Sequence, residues 1–208
     1  RHRCKSWKNS FQRMEINKPI YCKPCFQQIE TQISLSALTE VISQKDNPAI
    51  LGGNKSVRGY SIFAAEPIEI FEFGLDENEP FEKLEAILSK YQLKERRHLA
   101  CAHIAQAGSL RSFGDEMAPA PFFCGGWIGY FGYELGRFIE KLPGQAVDDI
   151  RLPVVRLAFY DKAIIYDHDK KIFNLITLEI QGDSVEQKFQ ILNDWLQQAR
   201  DISIVKPQ

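Results

Sequence analysis

The chain has 208 residues, 44% apolar and 25% charged, with a net charge of −1. That length can bury a real core in one large domain or two small ones. The near-neutral balance excludes a polybasic surface for nucleic acid or membrane, and no apolar run is long enough to span a bilayer. Five cysteines, an odd number, argue against a disulfide framework and for a reducing, cytoplasmic setting.

Residues 1–13 open on Arg1-His2-Arg3 with no apolar run behind the charge, so a secretion signal is not expected. They are set aside as a non-native or disordered leader, and 14–208 is read as the domain. Residues 18–26, punctuated by Pro19 and Pro24, predict an edge strand. Ser34 is placed to cap a helix whose face is Leu35, Leu38, Val41 and Ile42, running to about Lys45. Asp46-Asn47-Pro48 stops it, because the residue before proline avoids the α region. Ala49-Ile50-Leu51 is a short strand ended by Gly52-Gly53-Asn54. Strands follow over 60–65 and 68–73, then a turn over 74–78.

Pro80 suits the first turn of a helix, and Phe81, Leu84, Ile87, Leu88 and Tyr91 recur at helical spacing. Residues 94–97 read as a solvated charge run and 105–121 as a long loop. Phe122 to Tyr133 is dense in aromatics and glycines. Gly126, Gly129 and Gly132 recur every third residue, out of phase with the strand period of two, which predicts a bulged or bent strand. Core packing and a ligand pocket both remain open for it. Residues 141–151 read as a loop. Val154–Tyr166 and Ile172–Ile180 predict two strands, with a hairpin turn at Asp167-His168-Asp169-Lys170. Asp183-Ser184-Val185-Glu186 starts a helix in capping-box fashion. Its face is Val185, Phe189, Leu192, Leu196 and Ala199, with Trp195 beside it. The order is α+β with mainly antiparallel neighbours, not a doubly wound sheet.

Few motifs carry chemistry. Cys22-Lys23-Pro24-Cys25 has the spacing of a metal or redox pair, but no second ligand pair follows and it lies in a strand-like segment, so both cysteines read as structural. His98, His103 and His168 lack a nucleophile and an orienting partner nearby in sequence and read as structural or surface residues. Asp148-Asp149 and Glu77/Glu79 sit in loop-like segments and read as solvated. No phosphate-binding loop or dinucleotide fingerprint is present.

The segment Gly125-Gly126-Trp127-Ile128-Gly129-Tyr130-Phe131-Gly132-Tyr133-Glu134-Leu135 resembles the Gly-Gly-x-x-Gly-Tyr-x-x-Tyr-(Asp/Glu) signature of the anthranilate synthase component I and aminodeoxychorismate synthase component I family. Its continuation, Gly136 to Pro143, is similar to the aminodeoxychorismate branch. Ala49-Ile50-Leu51 with Gly59 to Pro67, and Leu152-Pro153 with the strand ending Asp167-His168, agree in order and spacing, so the resemblance covers residues 16–200.

The resemblance implies an N-terminal domain of two mainly antiparallel sheets packed as a sandwich with flanking helices, incomplete without a C-terminal chorismate-binding domain that this chain lacks. It implies a synthase that aminates chorismate for para-aminobenzoate and folate, with Mg²⁺ and all catalytic residues in the missing domain. The chain alone is therefore expected to be inactive. Implied partners are that C-terminal domain, a glutamine amidotransferase subunit and tryptophan as effector. The matching effector positions are Leu51, Gly52, Gly53, Tyr60 and Ser61. Gly52-Gly53 departs from the family's Glu/His-Ser pair and so lacks side chains to meet a ligand ammonium. Gly125, Gly126, Gly129, Tyr130, Gly132 and Tyr133 form the structural signature. Two other readings stay open: an anthranilate synthase component I fragment serving tryptophan synthesis, and a stand-alone ligand-binding or interaction module.

Overall fold

The computed structural model describes residues 18–52, 59–93, 123–141 and 151–205. The expectations for 1–13, Gly53, 94–97, His98, His103, 105–121 and Asp148-Asp149 fall outside these residues. Nine strands and three α-helices are described: β1 Ile20–Ile29, α1 Leu35–Ser43, β2 Ala49–Leu51, β3 Tyr60–Ala64, β4 Glu69–Phe73, α2 Pro80–Lys90, β5 Tyr91–Leu93, β6 Gly126–Phe131, β7 Val155–Tyr160, β8 Lys162–Asp167, β9 Ile172–Ile180 and α3 Val185–Val205. A six-stranded sheet has the order β2-β3-β8-β9-β1-β5, and a three-stranded sheet the order β4-β7-β6. Every pairing is antiparallel except the parallel β1/β5. This is the expected α+β class of two packed sheets with flanking helices, the larger sheet being mixed.

Strand alternation builds the layers. On β3, Phe63 points to the helices, where α1 (Leu38, Val41, Ile42) and α3 (Leu192, Trp195, Leu196, Ala199) cover Ile164, Phe173 and Leu175. Ile62 and Ala64 point the other way and meet Ala158 and Tyr160 of the small sheet, with Ala163, Ile165 and Ile176. Phe73, Val155 and Leu157 of the small sheet pack with Leu84 of α2 and with Leu135 and Phe138. Each fully buried Leu, Ile or Phe contributes about 1.5–3 kcal/mol of transfer free energy.

The expected strand Val154–Tyr166 is in fact two. β7 belongs to the small sheet and β8 to the large one, and the chain changes sheet at Asp161. Asp161 is buried at 3% exposure. Its carbonyl accepts the Leu178 N–H at 2.7 Å, and its Oδ2 lies 2.8 Å from Lys188 Nζ on α3. That ammonium also donates to the Leu178 carbonyl at 2.7 Å and sits 3.2 Å from Asp183. A paired buried carboxylate, not a glycine or proline, marks the bend.

β1 is the expected edge strand only in part: among the described residues no strand but β9 lies beside 23–29. β5 pairs alongside Ile20, Tyr21 and Cys22. Pro24 is tolerated because it faces Leu178, whose N–H and carbonyl are engaged by Asp161 and Lys188. No N–H is needed from position 24 on that side.

β6 carries no bulge or bend. It stays in unbroken register with β7 from Gly126↔Tyr160 to Phe131↔Val155. The three-residue glycine period arises from separate local constraints, not one face. At Gly129 a Cβ would fall against the Arg156 carbonyl oxygen and 2.8 Å from Leu157 Cα. At Gly132, past the strand, the N–H donates to the Val154 carbonyl at 2.7 Å. A 3-10 helix over Tyr133–Phe138 follows, which periodicity did not suggest. α2 starts at Pro80 as expected, but Tyr91 leaves the predicted helical face to begin β5. Phe81 and Leu88 stay 40% and 44% exposed, so only part of that face is covered. The β8–β9 turn is as expected, with Asp167 Oδ1 accepting the Asp169 and Lys170 N–H groups at 3.0 and 2.9 Å. Ser184 Oγ accepts the Gln187 N–H at 3.3 Å and caps α3.

Candidate functional site

The positions expected to hold an effector lie where β2 and β8 end and β3 begins. Leu51 stands opposite Ile62, and Tyr60 opposite Asp167. Both therefore belong to the face of the large sheet that meets the small sheet, and they are 45% and 41% exposed. Ser61 points to the helix-bearing face and is wholly buried. Gly52 adjoins it: a Cβ there would lie 2.7 Å from the Tyr60 carbonyl and 3.2 Å from Ser61 Oγ, at φ +89°. The structure thus brings Gly52 and Ser61 together and puts Leu51 and Tyr60 on the opposite face.

One residue joins the site that sequence reasoning had assigned to a turn. His168 Nε2 lies 2.7 Å from Ser61 Oγ. The His168 N–H donates to the Gly59 carbonyl at 3.0 Å, and its ring stands edge-on to Tyr166, 4.9 Å between centroids. The two side chains are 107 residues apart in sequence, so no local pattern could announce the pair. A serine–histidine contact alone is not a nucleophilic dyad. Activation needs an orienting acid, and the neighbouring Asp167 carboxylate is engaged elsewhere, Oδ1 by two turn amides and Oδ2 3.9 Å from Lys170 Nζ.

The signature residues occupy the small sheet and its exit. Gly125 sits under the Leu178 side chain at φ +91°. Trp127 packs edge-on to Phe159 and Tyr91, at centroid distances of 5.1 and 6.0 Å. Trp127 is half-buried and packs against the core from its edge. Tyr130 and Tyr133 instead stand 37% and 85% exposed. A concavity of about 350 Å³ lies elsewhere, between Ile29–Ile33 and α3.

The Cys22/Cys25 pair is split. Three residues apart on a strand, the thiols point to opposite faces, and Cys22 packs with Phe159 and Leu178 while Cys25 faces the helices. Burial pushes the Cys22 thiol up to about 11. That is the opposite of an activated thiolate.

No family model matches the chain. Among curated proteins, it is 44% identical over 81 residues to anthranilate synthase alpha subunit 2, chloroplastic, of Arabidopsis thaliana, covering 36% of this chain and 13% of that protein. It is 39% identical over 83 residues to aminodeoxychorismate synthase component 1 of Escherichia coli strain K12, covering 35% and 18%. The counterpart from Salmonella typhimurium is 49% identical over 55 residues, covering 26% and 12%. The chain therefore spans less than a fifth of the length of these relatives. The solved structure of anthranilate synthase component I from Streptococcus pneumoniae overlaps 84% of this chain and 37% of its own, at 20% identity and a TM-score of 0.46. Over these stretches the chain is similar to component I synthases of both the anthranilate and the aminodeoxychorismate branches.

Proposed function

We propose that this chain is the N-terminal scaffold and effector domain of an aminodeoxychorismate synthase component I. In this reading the whole synthase aminates chorismate with glutamine-derived ammonia, for para-aminobenzoate and folate, in the cytoplasm. The observation that carries it is the sequence likeness to component I synthases, joined to the aminodeoxychorismate-like run Gly136–Pro143. The chemistry then belongs to the rest of the synthase. Among the described residues no group of three or more His, Cys, Asp or Glu is arranged to hold a metal. The Mg²⁺ of the reaction has no fitting site in them, and no step is derived through it.

Two features support a scaffold role. Tyr133, Ile139 and Leu152 are 85%, 75% and 62% exposed around the 3-10 helix. Apolar side chains so placed suit a surface covered by the remaining synthase or its amidotransferase subunit. An isolated chain that is strictly monomeric and binds no hydrophobic dye would count against that cover. The exposed Gly52 backbone beside Ser61 and His168 is the proposed effector contact, with tryptophan as the candidate ligand.

The second reading, anthranilate synthase component I, is favoured by the matches to plant proteins of that name. The coding sequence beyond residue 208 separates the two. Lysine in a Pro-Ile-Lys-Gly-Thr motif supports the aminodeoxychorismate branch, and alanine in its place assigns the other.

A further inference from the structure

A sheet edge exposes backbone that can pair with another chain, and proteins ordinarily blunt it with charge, proline, a bulge or brevity. Among the described residues the two sheets end in β2 and β5 and in β4 and β6. β2 and β5 are only three residues long. β4 carries Glu69 and Glu72. β6 has none of these devices. It runs six residues, Gly126 to Phe131, without charge or proline and in unbroken register with β7.

The phase of the ladder shows which backbone groups face outward. In an antiparallel sheet each residue turns its N–H and C=O to one neighbour, and the next residue turns its own to the other. Phe159, opposite Trp127, accepts the Ile68 N–H on the β4 side. Just past the strand, the Gly132 N–H donates inward to the Val154 carbonyl. Gly126, Ile128 and Tyr130 therefore bond to β7, while Trp127, Gly129 and Phe131 turn their N–H and C=O away from it. No strand among the described residues takes up those outward groups. Tyr130 and Phe131 are also 37% and 54% exposed.

This edge is its own complement. Turned about a twofold axis at Gly129, β6 opposes a second β6 with Gly129 against Gly129, Trp127 against Phe131 and Ile128 against Tyr130. Outward residues then meet outward residues, so each N–H finds a carbonyl. Aromatic and apolar side chains meet their like, the residue without a side chain sits at the axis, and no charges are opposed. Centring on Trp127 or Phe131 instead would run half of the strand past the end of its copy.

We propose that β6 is an interaction edge and that its occupant is β6 of a second copy of this chain, paired antiparallel about Gly129 as an isologous dimer. The inference is independent of the effector and branch readings above. Because the same edge is covered on both copies, assembly closes at the dimer.

The experiment uses the 208-residue chain. Sedimentation across about a hundredfold range of concentration gives its mass, and amide hydrogen exchange read residue by residue locates the contact. The expected result is a reversible dimer in which the Trp127, Gly129 and Phe131 amides exchange about tenfold more slowly than in the dilute monomer. The Ile128 and Tyr130 amides, already bonded to β7, should change less. Phe131→Lys, shown to be folded by far-UV dichroism, should stay monomeric with fast outward amides, and Phe131→Tyr should still dimerise. If the lysine variant does not fold, the exchange pattern of the native chain decides alone. A chain that is monomeric at every concentration overturns the proposal. So does a dimer whose outward amides exchange freely, or an assembly that grows beyond two copies. Slow outward amides in a monomer would mean that another part of the same chain covers β6, and overturn it equally.

Discussion

A methyl group at position 129 would fall against the Arg156 carbonyl oxygen and 2.8 Å from Leu157 Cα, both on the neighbouring strand β7. Gly129→Ala therefore has to push two paired strands apart. Overpacking of this kind costs about 2 kcal/mol, and urea unfolding of the variant should show that loss with an unchanged slope. Lys188 is the other residue on which much turns. Replacing it by methionine keeps the packing but leaves Asp161, 3% exposed, with only Lys162 Nζ at 3.7 Å. Breaking a buried pair from one side costs about 3 kcal/mol, and the same measurement checks it. Lys188→Met should cost more than Lys188→Met with Asp161→Asn, because the double variant no longer buries a carboxylate whose one remaining cation is 3.7 Å away.

At the scale of the strand, β1 predicts a pH response. Burial raises the Cys22 thiol from 9.0 to about 11, and burial with the Glu69 hydrogen bond raises the Tyr91 phenol of β5 as well. Both groups hold their protons more tightly when folded. The Cys22 contribution is complete below pH 9 and is lost as pH rises from 9 towards 11, and that of Tyr91 is complete below pH 10 and is lost above it. The urea midpoint should fall across that window, and less steeply in Cys22→Ala. A midpoint that rises there would show that neither group is buried as described.

Most elements were legible because their periods are simple. α1, α3, β2 and the β8–β9 hairpin lie close to where spacing, caps and turn residues put them. The sheet change at Asp161 was not legible, because Phe159-Tyr160-Asp161-Lys162 contains no glycine or proline to mark it. The available signal was an Asp-Lys pair inside an apolar run, which makes sense only once Lys188 arrives from α3. The straight course of β6 was hidden for a different reason. Its glycines answer to individual atoms of neighbouring chain, and no period describes that. The site followed the same division. Gly52 and Ser61 were named from local pattern, but strand alternation splits Leu51 and Tyr60 from them, and His168 comes from the far side of a long-range pairing.

For the molecule as a whole, the two sheets are joined directly from β3 to β4 and from β7 to β8, and they share a buried interface made by Ile62, Ala163 and Ile176 against Ala158 and Tyr160, and by Cys22 and Leu178 against Phe159. Neither sheet can unfold without exposing that interface. The described core should therefore lose its strand signal and its Trp127 and Trp195 environments in one transition. Heating followed by far-UV dichroism and by tryptophan fluorescence tests this, and two separated midpoints would mean that the sheets are independent units. Residues 155–167 run from one sheet into the other through the change of sheet at Asp161. One end lies beside Ser61 and His168, and the other beneath the 3-10 helix with its exposed Tyr133. Lys188 contacts the change of sheet, not either end. One continuous stretch of backbone therefore links the two ends of the domain, through the bend that Lys188 holds.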